Sequence, residues 1–299
     1  MERTENMRQL IEMAISYGRK LKSTQTGYLH YCYDAHEGDV HLSIPTVENI
    51  YYVLALFRSR TVENVTEAKV MLDALLRFQD NVSGNFPIYL HEFPVCKDRF
   101  IGVHVAAALF WILKSFQQIL GNDLRTRVES ALLVAVHHVL KNHREKAAPY
   151  TVAIKIASVA VGVGRLLGDP SLEAEGNVLL EALRAHPDEI CWYSPESLGE
   201  ILSALAIAYS SIKESVWGDF WRHLERTWYQ KTACYVGPSV REWQLGSEPQ
   251  LTLYDLFLGY LSGEFSARMM KGAPVHLEAV LIPAMDDLFS IAQDRVYVE

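Results

Sequence analysis

The chain has few cysteines and no excess of basic charge, and each of these absences excludes a class of protein. Only four of the 299 residues are cysteine, and no two form a Cys-x-x-Cys pair, which argues against a disulfide scaffold and a zinc finger. Lys and Arg number 28 against 36 Asp and Glu, so the formal net charge is −8. Because non-specific nucleic-acid binding needs a basic surface, we expect no nucleic-acid partner.

Long apolar segments are also missing. The longest apolar run, residues 103–113, contains His104 and is shorter than the roughly 20 residues that cross a bilayer. The first residues are polar and of mixed charge, without the apolar segment of a secretion signal. We therefore expect a cytoplasmic protein without a membrane span.

Helical periodicity, by contrast, is nearly continuous along the chain. About 49% of the residues are hydrophobic, many recur every three or four positions, and alternating strand patterns are scarce. The pattern predicts an all-α protein with a single domain over residues 1–299. About eleven helices are expected, near residues 2–23, 45–60, 63–80, 99–120, 122–142, 149–168, 170–186, 195–213, 215–231, 250–263 and 275–292.

The helix starts repeat at intervals of about 50 residues, which is typical of an array of helical hairpins. The starts are Pro45, Arg99, Pro149, Pro195 and Gln250. Helices beginning near residues 99, 149 and 195 are almost uncharged in the middle, whereas their partners carry charges at helical spacing. An inner ring and an outer ring of helices are therefore predicted.

The connections between these helices alternate in length. Those from inner to outer helices are short, and those from outer to inner helices are mostly long. Long ordered loops in a compact domain are usually functional, and the alternation predicts that they share one end of the array. The long connections are residues 24–44, 82–98, 143–148, 187–194 and 232–249.

This arrangement resembles the α/α toroids, the helical barrels of six-hairpin glycosidases, several polysaccharide lyases and the terpenoid cyclases. Phe78, Gln79, Gly84 and Phe86 look like the repeat motif of that class. The resemblance implies an α/α toroid in which the glutamine caps a neighbouring helix and the aromatic packs beneath the loop. Eleven helices are fewer than six complete hairpins need, so an incomplete barrel is also open.

Aromatic and ionisable residues are concentrated in the long connections, which favours a sugar or oligosaccharide ligand and a carbohydrate-active enzyme. A glycoside hydrolase needs two carboxylates, and a lyase needs a Tyr or His base with a cation. The candidate catalytic residues are Asp34, His91, Glu92, Glu196 and Glu242. The candidate substrate-binding residues are His30, Tyr31, Tyr33, His36, Asp98, Arg99, Trp192, Tyr193, Tyr235, Arg241 and Trp243.

Other interpretations of the same residues remain open. Asp98, Glu196 and Glu242 can equally cap helices or pair with arginines. A terpenoid cyclase or transferase with an apolar cavity is an alternative function, and so is a non-catalytic helical scaffold that binds a protein or peptide. We expect no metal and no cofactor, because the cysteines are scattered and lack the close spacing of zinc ligands.

One glycine-rich stretch looks like a nucleotide-binding motif. Residues 162–168 nearly reproduce the dinucleotide fingerprint, which belongs between a strand and a helix. Here the stretch ends a helical pattern. It therefore predicts close helix packing followed by a helix stop.

Overall fold

The computed structural model of the chain describes residues 2–31, 43–192, 194–229, 234–235 and 277. These residues are mostly helical, which confirms the all-α class. Within them, nine α-helices are present: α1 (Glu2–Leu21), α2 (Thr46–Ser59), α3 (Val62–Leu75), α4 (Ile101–Leu120), α5 (Asn122–Glu145), α6 (Tyr150–Leu167), α7 (Pro170–Arg184), α8 (Pro195–Ala208) and α9 (Gly218–Thr227). Three 3-10 turns, at Leu76–Phe78, Leu90–Glu92 and Pro187–Glu189, and a two-residue antiparallel ladder between β1 (Trp228–Tyr229) and β2 (Cys234–Tyr235) complete the described elements.

The first nine predicted helices each correspond to an observed helix, and most differ only at their ends. The third was predicted to reach residue 80 but ends at Leu75, because the chain tightens into a 3-10 turn. The eighth was predicted to reach residue 213 but ends at Ala208. The predicted helices at 250–263 and 275–292 lie outside the described residues, apart from residue 277.

Side-chain caps fix several helix starts. Asp169 accepts hydrogen bonds from the backbone N–H groups of Ser171 and Leu172, both at 3.0 Å, ahead of α7. Ser194 accepts one from Ser197 at 3.3 Å ahead of α8. Because the first N–H groups of a helix have no partner within it, these bonds stabilise the starts.

The helices form two layers. The inner helices α2, α4, α6 and α8 pack side by side in chain order, and the outer helices α3, α5 and α7 each pack against the inner helix that precedes them. Residues 53–57 of α2 and 156–161 of α6 are 0% exposed, so these helices are buried all round. The predicted division into inner and outer helices is therefore present in the described residues.

The glycine-rich stretch of α6 serves helix packing, as predicted. A Cβ on Gly162 would lie 2.5 Å from Cγ2 of Ile207 in α8, and one on Gly164 would lie 2.5 Å from the backbone nitrogen of Glu173 in α7. Opposite them, a Cβ on Gly176 of α7 would lie 2.7 Å from the carbonyl oxygen of Ala157. These three close approaches bring α6 against α7 and α8.

Two described helices, α4 and α6, are long and apolar enough to cross a membrane by length and composition alone. Their best windows have mean hydropathies of 1.3 and 1.5, and 67% of each window is buried inside the protein. Core helices of globular proteins share these properties, so the two helices are weak support for a membrane span.

We predict that Gly176→Ala destabilises the protein, although Ala is ordinarily better than Gly in a helix by about 1 kcal/mol. The added methyl group meets the backbone of α6, and overpacking of this kind costs about 1–3 kcal/mol. Urea unfolding followed by circular dichroism measures the change. Val178→Ala, at an exposed position of the same helix, is the control and should be close to neutral. A Gly176→Ala variant as stable as the parent would contradict the close packing.

Candidate functional site

A buried asparagine fixes the first long connection to the start of α2. The Asn49 side chain accepts a hydrogen bond from the Leu29 backbone N–H at 2.8 Å and donates to the Leu29 and Pro45 carbonyls at 3.0 and 2.7 Å. Asn49 is 0% exposed. Its amide therefore satisfies backbone hydrogen-bonding groups at Leu29, within the connection, and at Pro45, just before α2.

The second long connection is hydrogen-bonded to the first. The Leu90 N–H donates to the Ile44 carbonyl at 2.8 Å, and the Thr46 N–H donates to the Ile88 carbonyl at 2.9 Å. The Thr46 hydroxyl also donates to the Pro87 carbonyl at 2.6 Å. Both connections thus lie together at the N-terminal end of α2.

The motif that resembles the toroid repeat has a structural role here. The Gln79 side chain donates to the Gly84 carbonyl at 2.7 Å and to the Ala131 carbonyl of α5 at 2.9 Å, and Phe86 is 1% exposed. The resemblance implied that the glutamine caps a neighbouring helix. Instead it bonds to the middle of α5, and so it ties the second long connection to the outer layer.

Four polar side chains, one from each inner helix, form a continuous group that we call the inner-helix cluster: Tyr51, His104, Lys155 and Glu200. The Tyr51 hydroxyl lies 3.5 Å from Nδ1 of His104. The Lys155 ammonium lies 3.1 Å from the same nitrogen and 3.9 Å from Oε1 of Glu200. Each of these residues is in the first or second turn of its helix, at the end where the first two long connections lie.

Exposure separates two buried members of the inner-helix cluster, Tyr51 and Lys155, from two partly accessible ones, His104 and Glu200. The Lys155 side chain is 1% exposed and that of Glu200 is 24% exposed. Tyr51 is 3% exposed, and His104 is half-buried. A buried ammonium costs several kcal/mol unless it is paired, and Glu200 supplies a carboxylate within ion-pair distance of Lys155.

The contacts of Lys155 also determine the form of His104. An ammonium group has three hydrogen-bond donors and no acceptor. When Lys155 is charged, Nδ1 of His104 must therefore be the acceptor. The ring proton is then on Nε2, the nitrogen on the other side of the imidazole.

The predicted catalytic residues in the described part of the chain lie apart from this arrangement of hydrogen bonds. His91 is exposed and stacks on the Tyr89 ring with a centroid distance of 5.6 Å. Glu92 accepts from the Lys97 ammonium at 2.7 Å and from the Tyr89 N–H at 3.4 Å. The hydrogen bond from Lys97 lowers the pKa of Glu92, so its carboxyl group is ionised at neutral pH.

Glu196 is exposed in the first turn of α8, four residues before Glu200. In an α-helix, residues four apart lie on the same face. Glu196 is therefore placed one turn above the inner-helix cluster, toward the N-terminal end of α8. Of the predicted catalytic residues that the structure describes, Glu196 is the one that lies on a helix contributing to the inner-helix cluster.

Several predicted substrate-binding residues have structural partners. The Asp98 carboxylate accepts from the N–H groups of Phe100 and Ile101 at 2.6 and 2.7 Å and so caps α4, which is why α4 begins after Arg99. Arg99 is exposed. The His30 ring lies 2.8 Å from the Thr26 hydroxyl, and the Tyr31 N–H donates to the Ser43 carbonyl at 3.0 Å.

Trp192 packs against α9. Its ring lies 4.3 Å from that of His223 and 5.8 Å from that of Phe220, and its indole N–H donates to the Pro187 carbonyl at 3.0 Å. Part of the aromatic surface that we expected to stack on a sugar is therefore used in packing.

The remaining predicted residues lie outside the described side chains. Tyr235 pairs through its backbone with Trp228. Asp34, Tyr33, His36, Tyr193, Arg241, Glu242 and Trp243 fall among residues that the structure does not describe.

The described cysteines do not form a metal centre. Cys96 and Cys191 are free thiols, and burial raises the pKa of Cys96 to about 11, so this thiol is protonated at neutral pH. Within the described ranges, no group of three or more His, Cys, Asp and Glu residues is placed to hold a metal ion.

Sequence reasoning missed the inner-helix cluster because it looked for polar chemistry in the loops and treated the inner helices as apolar. A signal was nevertheless present. Tyr51 and His104 are separated by 53 residues, and His104 and Lys155 by 51, which matches the helix repeat. Polar residues at one position of successive repeats would have predicted their meeting.

Comparisons with protein-family models, with curated proteins and with solved structures find no match for this chain. The likeness to α/α toroids therefore rests on the order, burial and connections of its helices.

We predict that the third long connection weakens as the pH falls below about 6.5, the ordinary pKa of histidine. Nδ1 of His143 accepts the Ala148 N–H at 3.1 Å, and burial lowers the pKa of His143. Because the unfolded chain then binds a proton more readily than the folded chain, acidification through this range reduces stability. Above about pH 6.5 both states are neutral at this residue, and the effect disappears.

Thermal unfolding at about pH 7.5 and about pH 5.5 tests the role of His143. His143→Gln should reduce the loss of melting temperature between the two conditions, whereas His186→Gln, at an exposed position, should not. An equal loss in the parent and in His143→Gln would contradict the role of His143.

Proposed function

We propose that this protein is a carbohydrate-active enzyme with an α/α-toroid architecture, and that its active site is at the long-connection end of the inner helices. The inner-helix cluster is the observation that carries the proposal. It combines an imidazole, an ammonium, a phenol and a carboxylate at the end where the first two long connections meet. Clusters of buried and accessible ionisable groups are typical of sites that transfer protons.

The order of the inner helices supports the toroid. Inner helices α2, α4, α6 and α8 are neighbours in chain order, as consecutive inner helices of a ring are. Among the described helices, an outer helix covers one side of each of α2, α4 and α6, yet α2 and α6 are buried all round. Closure of the inner layer upon itself buries the second side and is the arrangement we propose.

The chemistry of the cluster favours elimination over hydrolysis. A lyase removes a proton with a Tyr or His and uses a cation against the uronate carboxylate. The cluster contains Tyr51 and His104, and Arg241 of the fifth long connection is the proposed cation. Hydrolysis needs two free carboxylates, whereas Glu200 is the ion-pair partner of Lys155 and Glu92 is held by Lys97. A uronate-containing polysaccharide is therefore the substrate class we propose.

The roles within the site follow from exposure. His104 is accessible enough to touch the substrate and is the proposed catalytic residue, whereas Lys155 and Tyr51 lie beneath it. Asp34, Glu196 and Glu242 remain proposed as further acidic groups around the sugar. His30, Tyr31 and Arg241, from the long connections, remain proposed as binding residues.

Assays on uronate polymers and on neutral glucans test this function. Elimination is detected by the ultraviolet absorbance of the unsaturated product, and hydrolysis by new reducing ends without that absorbance. We expect cleavage of at least one uronate polymer, with kcat reduced about 100-fold or more in His104→Gln. Circular dichroism checks that the variant keeps its helices.

His91→Gln is the matched comparison, because it changes an exposed histidine of the second long connection and leaves the inner helices untouched. It should retain most of the activity. No cleavage of any substrate by the parent protein would reject the enzyme and favour a binding scaffold. Full activity in His104→Gln would reject the inner-helix cluster as the active site.

A further inference from the structure

We propose that Asn85 is a positioning residue that fixes His104 in the proposed active site. This inference rests on the proposed function, since Asn85 acts only through the helix that carries the proposed catalytic residue and does not touch the substrate. Asn85 is the residue between Gly84 and Phe86 in the motif that resembles the toroid repeat. It is 1% exposed.

The Asn85 side chain joins two segments of the chain where α4 begins. Its Nδ2 donates to the Asp98 carbonyl at 2.6 Å, and its Oδ1 accepts the Gly102 N–H at 3.2 Å. The first bond holds the end of the second long connection, and the second bond holds the first turn of α4. A single buried amide therefore serves as donor and acceptor at this junction.

A glycine allows α4 to approach the amide closely. A Cβ on Gly102 would lie 3.0 Å from Oδ1 of Asn85, and it would lie 3.6 Å from Cγ1 of Val139 and 3.9 Å from Cβ of Ala135 in α5. The start of α4 thus packs against both the amide and α5. The position of the helix start and the position of the amide therefore depend on each other.

The turn before Asn85 holds its backbone in place. The Asn85 carbonyl accepts the Asp80 N–H at 2.8 Å, and the Asn85 N–H donates to the Ser83 hydroxyl at 3.3 Å. Gln79 begins this turn and donates to the Ala131 carbonyl of α5 at 2.9 Å. The outer layer therefore supports the amide through the repeat-like motif.

His104 lies within the helix turn that this junction fixes. It follows Gly102 by two residues, in the first turn of α4. The backbone N–H groups of Phe100, Ile101 and Gly102 all have side-chain acceptors, so the helix start is firmly held. Because a displacement of about 1 Å at a reacting group can cost about 100-fold in rate, the position of this turn matters for catalysis.

A contribution to stability alone is the competing explanation. In that case Asn85 satisfies buried backbone groups, and its loss weakens the fold without moving His104 in the molecules that remain folded. Asn64 provides a matched control. It is a buried asparagine, 8% exposed, and its amide donates to the Ser59 hydroxyl at 2.9 Å, at the C-terminal end of α2 and away from the inner-helix cluster.

Nitrogen NMR on protein labelled with ¹⁵N-histidine reports on His104 without any substrate. The His104 ring signals are those lost in His104→Gln. We expect these signals to shift in Asn85→Ser and to stay in place in Asn64→Ser, although both variants should lose thermal stability. Signals that stay in place in folded Asn85→Ser, or that shift equally in both variants, would overturn the positioning role.

Asn85→Asp tests the same hydrogen bonds with a side chain of nearly the same shape, and so it also serves if the serine variant does not fold. A protonated carboxyl group can replace both bonds of the amide, whereas an ionised carboxylate cannot donate to the Asp98 carbonyl. Burial raises the pKa of a carboxyl group above its ordinary value of about 3.9. The difference in His104 signals between variant and parent should therefore grow from about pH 5 to about pH 9, and a constant difference would contradict the role.

Kinetics connect the position of His104 with the proposed reaction. On a uronate polymer that the parent protein cleaves, Asn85→Ser should lower kcat about 10-fold or more, with a smaller change in KM. The split is expected because the buried amide does not touch the substrate. Asn64→Ser should keep its kcat. An unchanged kcat in Asn85→Ser, or an equal loss in both variants, would overturn the positioning role.

The two proposals can fail separately. Cleavage by the parent protein together with full activity in Asn85→Ser rejects the positioning role and leaves the enzyme intact. A parent protein that cleaves no polysaccharide rejects the proposed function, and with it the catalytic consequence of the amide. Shifted His104 signals in Asn85→Ser would support the physical coupling between Asn85 and His104 in either case.

Discussion

Close packing of the inner helices is the constraint on which the rest of this structure depends. Gly162 and Gly164 on α6 and Gly176 on α7 remove side-chain volume where the helices approach, so α6 lies tightly against α7 and α8. With the helices this close, side chains from successive inner helices can touch. Lys155 of α6 contacts His104 of α4 and Glu200 of α8 across these packed helices.

The same packing makes a charged Lys155 side chain unfavourable for the stability of the folded protein. The side chain is removed from water between α4 and α8, where it contacts the imidazole of His104 and the carboxylate of Glu200. A methionine of similar length would fill the space without this cost, since replacing buried ion pairs by apolar residues is often neutral or stabilising. A charged group at such a position is therefore more readily explained by chemistry than by stability.

Hydrogen bonds hold the first two long connections at the same end of the helices as the inner-helix cluster. Asn49 holds the first connection, backbone hydrogen bonds join it to the second, and Gln79 ties the second to α5. His104 and Glu200, the more accessible members of the inner-helix cluster, lie at the same end of the helices. Hydrogen bonds thus tie the loops to the outer layer at the end of the inner helices where the inner-helix cluster lies.

Much of the helical architecture was predictable from the sequence, because apolar periodicity, capping residues such as Asp169, and the glycines of α6 act locally. The helix ends at Leu75 and Ala208 were less predictable, since turns and tertiary contacts decide them. The loop residues proposed as a site were identified by composition, which does not show that Asp98 caps a helix or that Trp192 packs on α9. The inner-helix cluster depends on contacts between residues about 50 positions apart, and only their matching repeat positions hinted at it.

A crystal structure of the protein with a bound uronate oligosaccharide tests the central claim most directly, namely that the inner-helix cluster is the active site. The account predicts a sugar at the N-terminal end of the inner helices, with one of its oxygens within hydrogen-bond distance of Nε2 of His104. An oligosaccharide bound elsewhere, with His104 sealed from it by protein, would contradict the claim.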